Sequence, residues 1–167
     1  NWLLKNRRPG FVLPHFVGCS SDSANHIGIL RRILAELQRA FRLDGEVPVT
    51  PDGCVELFPR WLDRACEHAA SVVILIDGLD QLIDPAAASL KWLPSTLPRN
   101  CSLILSTSPG TPSAAALPRR GWRKLLQMPP LSEPMKRIIL EKYLGHLRKE
   151  LEADVLQLLI SAKQTAN

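Results

Sequence analysis

Apolar residues in this chain gather into three tight runs, and stretches with helical spacing separate the first two. The run Val72-Val-Ile-Leu-Ile76 is five consecutive β-branched or leucine residues. Such a run predicts a strand buried on both faces, the usual state in a parallel sheet. Residues 11–17 read as an earlier strand, with Pro14 weakening it or marking an edge or bulge. Residues 102–106, with Leu103-Ile-Leu105 at their centre, read as a later one. Between the first two strands, Ile27, Leu30, Leu34, Leu37 and Phe41 recur at helical spacing. Cys19-Ser-Ser-Asp-Ser23 supplies N-cap candidates for that helix, and Arg31, Arg32, Arg39 and Arg42 form its solvated side. Residues 44–53 are rich in Pro and Gly and read as loop. Residues 55–69 form a second helical stretch with Leu57, Phe58, Trp61, Leu62 and Ala65 apolar. Pro59 then belongs in its first turn, or the helix starts later.

After the second strand the pattern predicts a short helix over 86–92 and a turn over 97–100. Beyond the third strand come a small-residue loop over 109–120, with three prolines, and a last strand over 123–128. From Leu131 the pattern is helical only. Ser132 is the N-cap, with Pro134 in the first turn, and Leu140, Leu144, Leu147 and Leu151 follow at helical spacing. Residues 154–163 make another helix. The expected fold is therefore α/β, a parallel sheet flanked by helices over 1–130, followed by the first helices of a helical subdomain over 131–167. Asn1-Trp-Leu-Leu-Lys-Asn6 reads as the end of a helix, stopped at Arg7-Arg8-Pro9-Gly10. The last residues read as a helix cut short, so the chain is expected to be a piece of something longer.

Composition narrows the picture modestly. With 167 residues, 46% apolar and 22% charged, the chain suits a soluble domain with a real core. No apolar run approaches the ~20 residues of a membrane span. A formal charge of +5 permits attraction to acidic partners without establishing nucleic-acid binding. Cys19, Cys54, Cys66 and Cys101 have no CxxC or zinc spacing and read as reduced thiols of a cytoplasmic protein. His15, His26, His68 and His146 lie on different elements and suggest no metal site. The basic cluster Arg119-Arg-Gly-Trp-Arg-Lys124 reads first as a solvated loop, with phosphate contact and stacking on RNA as the weaker alternative.

The candidate chemistry sits at Asp77-Gly-Leu-Asp80. A carboxylate ending a buried parallel strand lies where open α/β sheets bind ligands. Mg²⁺ takes one or two carboxylates plus phosphate oxygens and water, which Asp77 and Asp80 can supply. Gly78 lets the chain turn sharply beside a ligand. Ser106-Thr107-Ser108 ends the next strand and offers hydroxyls toward a phosphate or water. A strand that merely stops at a turn-forming Asp-Gly accounts for the same residues.

A resemblance makes the pattern specific. Val73-Ile-Leu-Ile-Asp-Gly-Leu-Asp-Gln-Leu82 resembles the Walker B segment of NACHT-type P-loop NTPases, members of the STAND group in the AAA-like superfamily. With Leu93-Pro-Ser-Thr-Leu-Pro98, Ser102-Leu-Ile-Leu-Ser-Thr107 and Pro14-His-Phe-Val-Gly18, the likeness extends over roughly residues 1–130. It is similar to the modules of nephrocystin-type tetratricopeptide proteins, NACHT–WD-repeat proteins and telomerase-associated protein. The resemblance implies Asp77 as the Mg²⁺ carboxylate and Asp80 as the catalytic, water-polarising acid. Gly78, Thr107 and Ser108 would line the nucleotide.

Two departures stand out. Ser108 falls where many relatives place a sensor arginine, and Gln81 where many have a second acid. Both fit a slow switch better than a fast ATPase. No G-x-x-x-x-G-K-[ST] motif occurs in the chain, so the groups that cradle the β- and γ-phosphates are not among these residues. ATP and Mg²⁺ are therefore expected in the longer protein, not in these 167 residues alone. The implied partners are proteins reached through repeat domains, with self-association among the readings and no membrane role. The alternative is a degenerate NTPase fold that serves only as an interaction scaffold.

Overall fold

A computed structural model describes residues 10–121 and 124–162, apart from the side chains of residues 21 and 22. The helix end expected over 1–6 lies outside the described residues. The chain divides into two compact units, the first ending at residue 123 and the second beginning at residue 124.

The first unit is built on a parallel sheet of three strands in the order β1-β2-β3. These are β1 (Phe11–Phe16), β2 (Val72–Asp77) and β3 (Cys101–Leu105). Phe11 pairs with Val72 and Phe16 with Asp77, while Val72 pairs with Cys101 and Ile76 with Leu105. β2 is the middle strand, and Val72, Val73, Ile74 and Ile76 are buried, as their unbroken apolar run requires.

Two helices fill the crossover from β1 to β2. The first, α1 (His26–Phe41), starts at Asn25, whose side chain accepts hydrogen bonds from the Ile27 amide at 2.8 Å and the Gly28 amide at 3.5 Å. Asn25, not the upstream serines, is the cap. Ser20 instead closes a 3-10 turn over Ser21–Ala24, its amide bonding the Ser23 hydroxyl at 2.8 Å. Ile29, Leu30, Ile33, Leu34 and Leu37 bury one face, and Arg31, Arg32, Arg39 and Arg42 are exposed.

The second helix, α2 (Pro51–His68), corrects two expectations. The loop stops at Thr50, whose side chain caps the Gly53 amide at 3.3 Å, and Pro59 lies well inside the helix. An interior proline costs about 3 kcal/mol. Cys54 and Phe58 before it, and Trp61, Leu62 and Ala65 after it, are all buried on one face. At about 1.5–3 kcal/mol for each large side chain, that burial outweighs the break.

Other differences have local causes. The segment expected as a helix over 86–92 is a 3-10 turn at Pro85–Ser89, closed by Leu90 in the left-handed region at φ 57°. The Trp92 indole takes the Ala87 carbonyl at 2.9 Å, which a longer helix would have needed. The proline-rich loop expected over 109–120 contains α3 (Pro112–Ala116), started by the Thr111 side chain on the Ala114 amide at 3.2 Å, and a 3-10 turn at Leu117–Arg120. Proline at a first helical position followed by alanines favours helix.

The strand expected over 123–128 does not form among its described residues. Residues 124–128 are irregular, with Leu125, Leu126 and Met128 exposed by 70–82%, because no strand is paired with them. They belong to the second unit, with α4 (Glu133–His146) and α5 (Ala153–Ser161). The Lys136 ammonium bonds the Ile160 carbonyl at 2.9 Å, joining the two helices. Leu147 and Leu151 fall beyond α4. Its end folds back at Gly145, and Arg148 takes φ 52°. No helix among the described residues is long and apolar enough to cross a membrane.

His15, unremarkable in the sequence, is buried in β1. Its Nε2 donates to the Ser23 carbonyl at 3.0 Å, and its Nδ1 accepts from Arg32 at 3.0 Å. Acceptance at Nδ1 calls for the neutral ring. Burial lowers its pKa from 6.5, the Ser23 carbonyl opposes that, and Arg32 adds to it. Burial lowers that of His26 as well, against the pull of Asp84. The unfolded rings take up protons near 6.5, where the folded ones resist. Stability is thus complete above about pH 6.5 and declines as pH falls toward the folded values. Melting temperature should drop between pH 7.5 and 5.5, and His15→Gln should shrink the drop. An unchanged drop in the variant would remove His15 from the account.

Of the four cysteines, all free, Cys54 and Cys101 are buried and Cys19 is exposed. Burial, together with the neighbouring Cys66 thiol, pushes the Cys101 thiol up to about 12.

Candidate functional site at the strand ends

The register that pairs Ile76 with Leu105 brings Ser106 abreast of Asp77 at the C-terminal edge of the sheet. The Ser106 amide donates to the Ile76 carbonyl at 3.1 Å, and the Leu79 amide to the Ser106 carbonyl at 2.9 Å. Between them the chain turns at Gly78, with φ 84° and ψ 44°, a conformation that favours glycine. A 3-10 turn over Leu79–Gln81 follows. Buried Leu79 anchors it, and the buried Ser113 hydroxyl from α3 donates to the Leu79 carbonyl at 3.1 Å.

This backbone holds the two acids differently. Asp77 is exposed, and its Oδ1 accepts a short hydrogen bond from the Ser106 hydroxyl. The same hydroxyl oxygen accepts from the Gly78 amide at 2.9 Å. Asp80 Oδ1 accepts from the Ser108 amide at 3.1 Å, and its Oδ2 from the Ser108 hydroxyl at 3.0 Å. Partial burial works to raise the Asp80 pKa. The amides of Asp80 and Ser108 and the hydroxyls of Ser108 and Thr107 more than offset it, so the net shift is downward. The hydroxyls of Thr107 and Thr111 lie 3.0 Å apart, and Thr111 also donates to the Ser108 carbonyl at 2.8 Å.

All the sequence-predicted site residues, Asp77, Gly78, Asp80, Thr107 and Ser108, thus sit at the ends of two adjacent strands. Three further residues contribute. Ser106, one of the three hydroxyls that the sequence offers at this strand end, is the one that touches Asp77, and Ser113 supports the turn from below. Gly18, at φ 82° just past β1, lies against the Gln81 side chain, where a methyl group would collide with its amide oxygen. Only the strand register could have revealed that Ser106 is the hydroxyl abreast of Asp77.

The donor set suits a cation that brings its own ligands. Among the described residues no group of three or more His, Cys, Asp or Glu side chains could hold a metal ion. Mg²⁺ needs only one or two carboxylates when phosphate oxygens and water complete its shell. Asp77 fits that requirement, because the one described hydrogen bond to its carboxylate falls on Oδ1. A surface hollow of about 480 Å³ elsewhere, lined by Asp44, Glu46, Arg60 and Trp61 among others, contains none of the predicted residues. Its size does not outweigh the chemistry at the strand ends. Of the basic cluster, Arg120 donates to the Leu93 carbonyl within the first unit, while residues 122 and 123 lie outside the described residues.

A parallel sheet flanked by helices, with acids at the end of its middle strand, is the architecture of the P-loop NTPase-like α/β class. The family model for the NACHT domain matches residues 3–146. The chain belongs to the NACHT family. It is similar to nephrocystin-3 of Homo sapiens, with 32% identity over 133 residues, covering 77% of this chain and 9% of that protein. It is also similar to a TPR repeat-containing protein of Dictyostelium discoideum, 26% identical over 209 positions, covering 100% and 12%. Telomerase protein component 1 of Mus musculus is 32% identical over 105 residues, covering 60% and 4%. The chain thus spans between 4% and 12% of the length of these curated relatives.

Proposed function

We propose that this chain supplies the acidic half of an ATP·Mg²⁺ switch in a STAND-type signalling NTPase. The observation that carries the reading is the exposed Asp77 carboxylate at the end of the middle strand, held by a hydroxyl from its neighbour. Asp77 is the Walker B residue and would hold the cation. A bound Mg²⁺ would neutralise and position the phosphate oxygens of ATP. Gly78 lets the backbone turn away beside the ligand, and Thr107 and Ser108 line the side from which the phosphates approach. Asp80 is the second acid, ionised by its hydrogen bonds and placed to polarise water.

Hydrolysis in such a switch is slow. ATP acts as a conformational ligand that biases two states of the longer protein. Because the chain contains no phosphate-loop motif, residues 1–167 by themselves bind nucleotide poorly. The output is assembly with protein partners, or with further copies, through repeat domains of the tetratricopeptide or WD kind in the cytoplasm. The relatives named for TPR repeats support that reading.

A second reading, a scaffold without nucleotide chemistry, is favoured by one observation. Both oxygens of Asp80 already serve Ser108 as a structural tie. The two are separated by ATP binding to the full-length protein, with and without Mg²⁺, alongside Asp77→Asn. Mg²⁺-dependent binding that Asp77→Asn weakens at least about tenfold supports the switch. A folded protein that binds no ATP in either condition leaves the scaffold.

A further inference from the structure

We infer that Ser106 is the positioning residue for the Asp77 carboxylate and fixes which of its oxygens meets a divalent cation. The inference rests on the reading of Asp77 as the cation carboxylate. A serine hydroxyl has one proton and two lone pairs. The Gly78 amide takes a lone pair at 2.9 Å. The proton is directed to Asp77 Oδ1. The donor direction of Ser106 is therefore set by the backbone of the turn and not by free rotation of the hydroxyl.

That backbone is itself tied on both sides. The Ser106 amide bonds Ile76 and its carbonyl accepts from Leu79, so the residue is stitched to β2 and to the turn that carries Asp80. The other two hydroxyls of this strand end have different work. Thr107 faces Thr111 and Ser108 faces Asp80. Of the three, Ser106 is the one hydrogen-bonded to Asp77.

The consequence is chemical. A carboxylate free to rotate offers a cation either oxygen, or both. With Oδ1 accepting from Ser106, the carboxylate is held in one orientation, and Oδ2 is the oxygen left without a described protein partner. Partners that orient a metal-binding carboxylate typically change metal affinity by about 10–100-fold when removed. The family resemblance assigns the ligand-facing roles to Thr107 and Ser108. The geometry moves the closest link with the acid one residue earlier.

The test is calorimetric titration of the full-length protein with ATP across a series of Mg²⁺ concentrations, and in EDTA. Ser106→Ala should raise the Mg²⁺ concentration for half-maximal ATP binding about tenfold and leave metal-free ATP affinity unchanged. Ser106→Thr, which keeps the hydroxyl on the same carbon, should restore the wild-type requirement. If Asp77→Asn removes the Mg²⁺ dependence while Ser106→Ala leaves it intact, the role of Ser106 is overturned and that of Asp77 survives. If Ser106→Ala weakens ATP binding equally in Mg²⁺ and EDTA and threonine does not restore it, Ser106 is merely structural and the inference fails. If Asp77→Asn changes nothing, the underlying reading of the site fails with it.

Discussion

Phe58→Ala should lower the unfolding free energy of the first unit by about 3–5 kcal/mol. Phe58 is fully buried at 0% exposure and lies one residue before the proline inside α2. Truncation removes its transfer free energy and leaves a cavity that a helix carrying a fixed proline cannot easily close. Domains of this kind are stable by only about 5–15 kcal/mol, so the variant sits near the edge of folding. Urea denaturation followed by far-ultraviolet circular dichroism reads the loss directly. Val49→Ala, at a side chain 79% exposed in the preceding loop, is the control and should stay within about 0.5 kcal/mol. A loss below about 1 kcal/mol for Phe58→Ala would mean that the α2 face is not packed as described.

Gly78→Val should cost the unit about 2–3 kcal/mol. Gly78 sits at φ 84°, where a β-branched side chain is a severe outlier. Its Cβ would also stand 3.0 Å from the Gln81 amide nitrogen and 3.7 Å from the Val17 carbonyl. Relaxing that strain means turning the Gly78 amide away from Ser106, so the loss falls on the strand-end site as well as on stability. Gly78→Asn tests the mechanism, since asparagine enters the left-handed region more readily, and it should cost clearly less. Equal losses for the two variants would point to crowding against Gln81, with backbone conformation playing no part.

These two positions show what the sequence could and could not disclose. The run Val72–Ile76 was readable because only a strand covered on both faces wants five apolar residues in succession. The helix through Leu30, Leu34 and Leu37 was readable from its spacing. The position of Asp77 at the end of that strand was readable because the apolar run stops there.

Two of the failures share a cause. Pro59 and the apolar residues at 125–128 are cases where local preference points one way and tertiary pairing or packing decides otherwise, whereas the alanines at 114–116 follow their own helical preference once Thr111 caps them. Proline is tolerated in α2 because its face is buried on both sides of the break. Leu125 and Leu126 make no strand because none is paired with them. The contacts of Ser106, Ser113 and Gly18 were hidden for a different reason. Their roles come from neighbours 28 to 63 positions away in the chain, brought close only by the register.

The two ends of the sheet are fastened by different means. At the start of the strands, the Asn100 side chain bonds the carbonyls of Cys66 and Ala69, both at 2.8 Å, while its own carbonyl accepts from the Val72 amide at 2.9 Å. One residue, through its partly buried side-chain amide and its backbone carbonyl, thus clamps the end of α2 and the start of β2 just before β3. At the other end the ties between Asp77 and Ser106 and between Asp80 and Ser108 are exposed to solvent, and exposed bonds open more cheaply than buried ones. The first unit is thus held like a cantilever, by a partly buried clamp at its root and by solvent-facing ties at its tip.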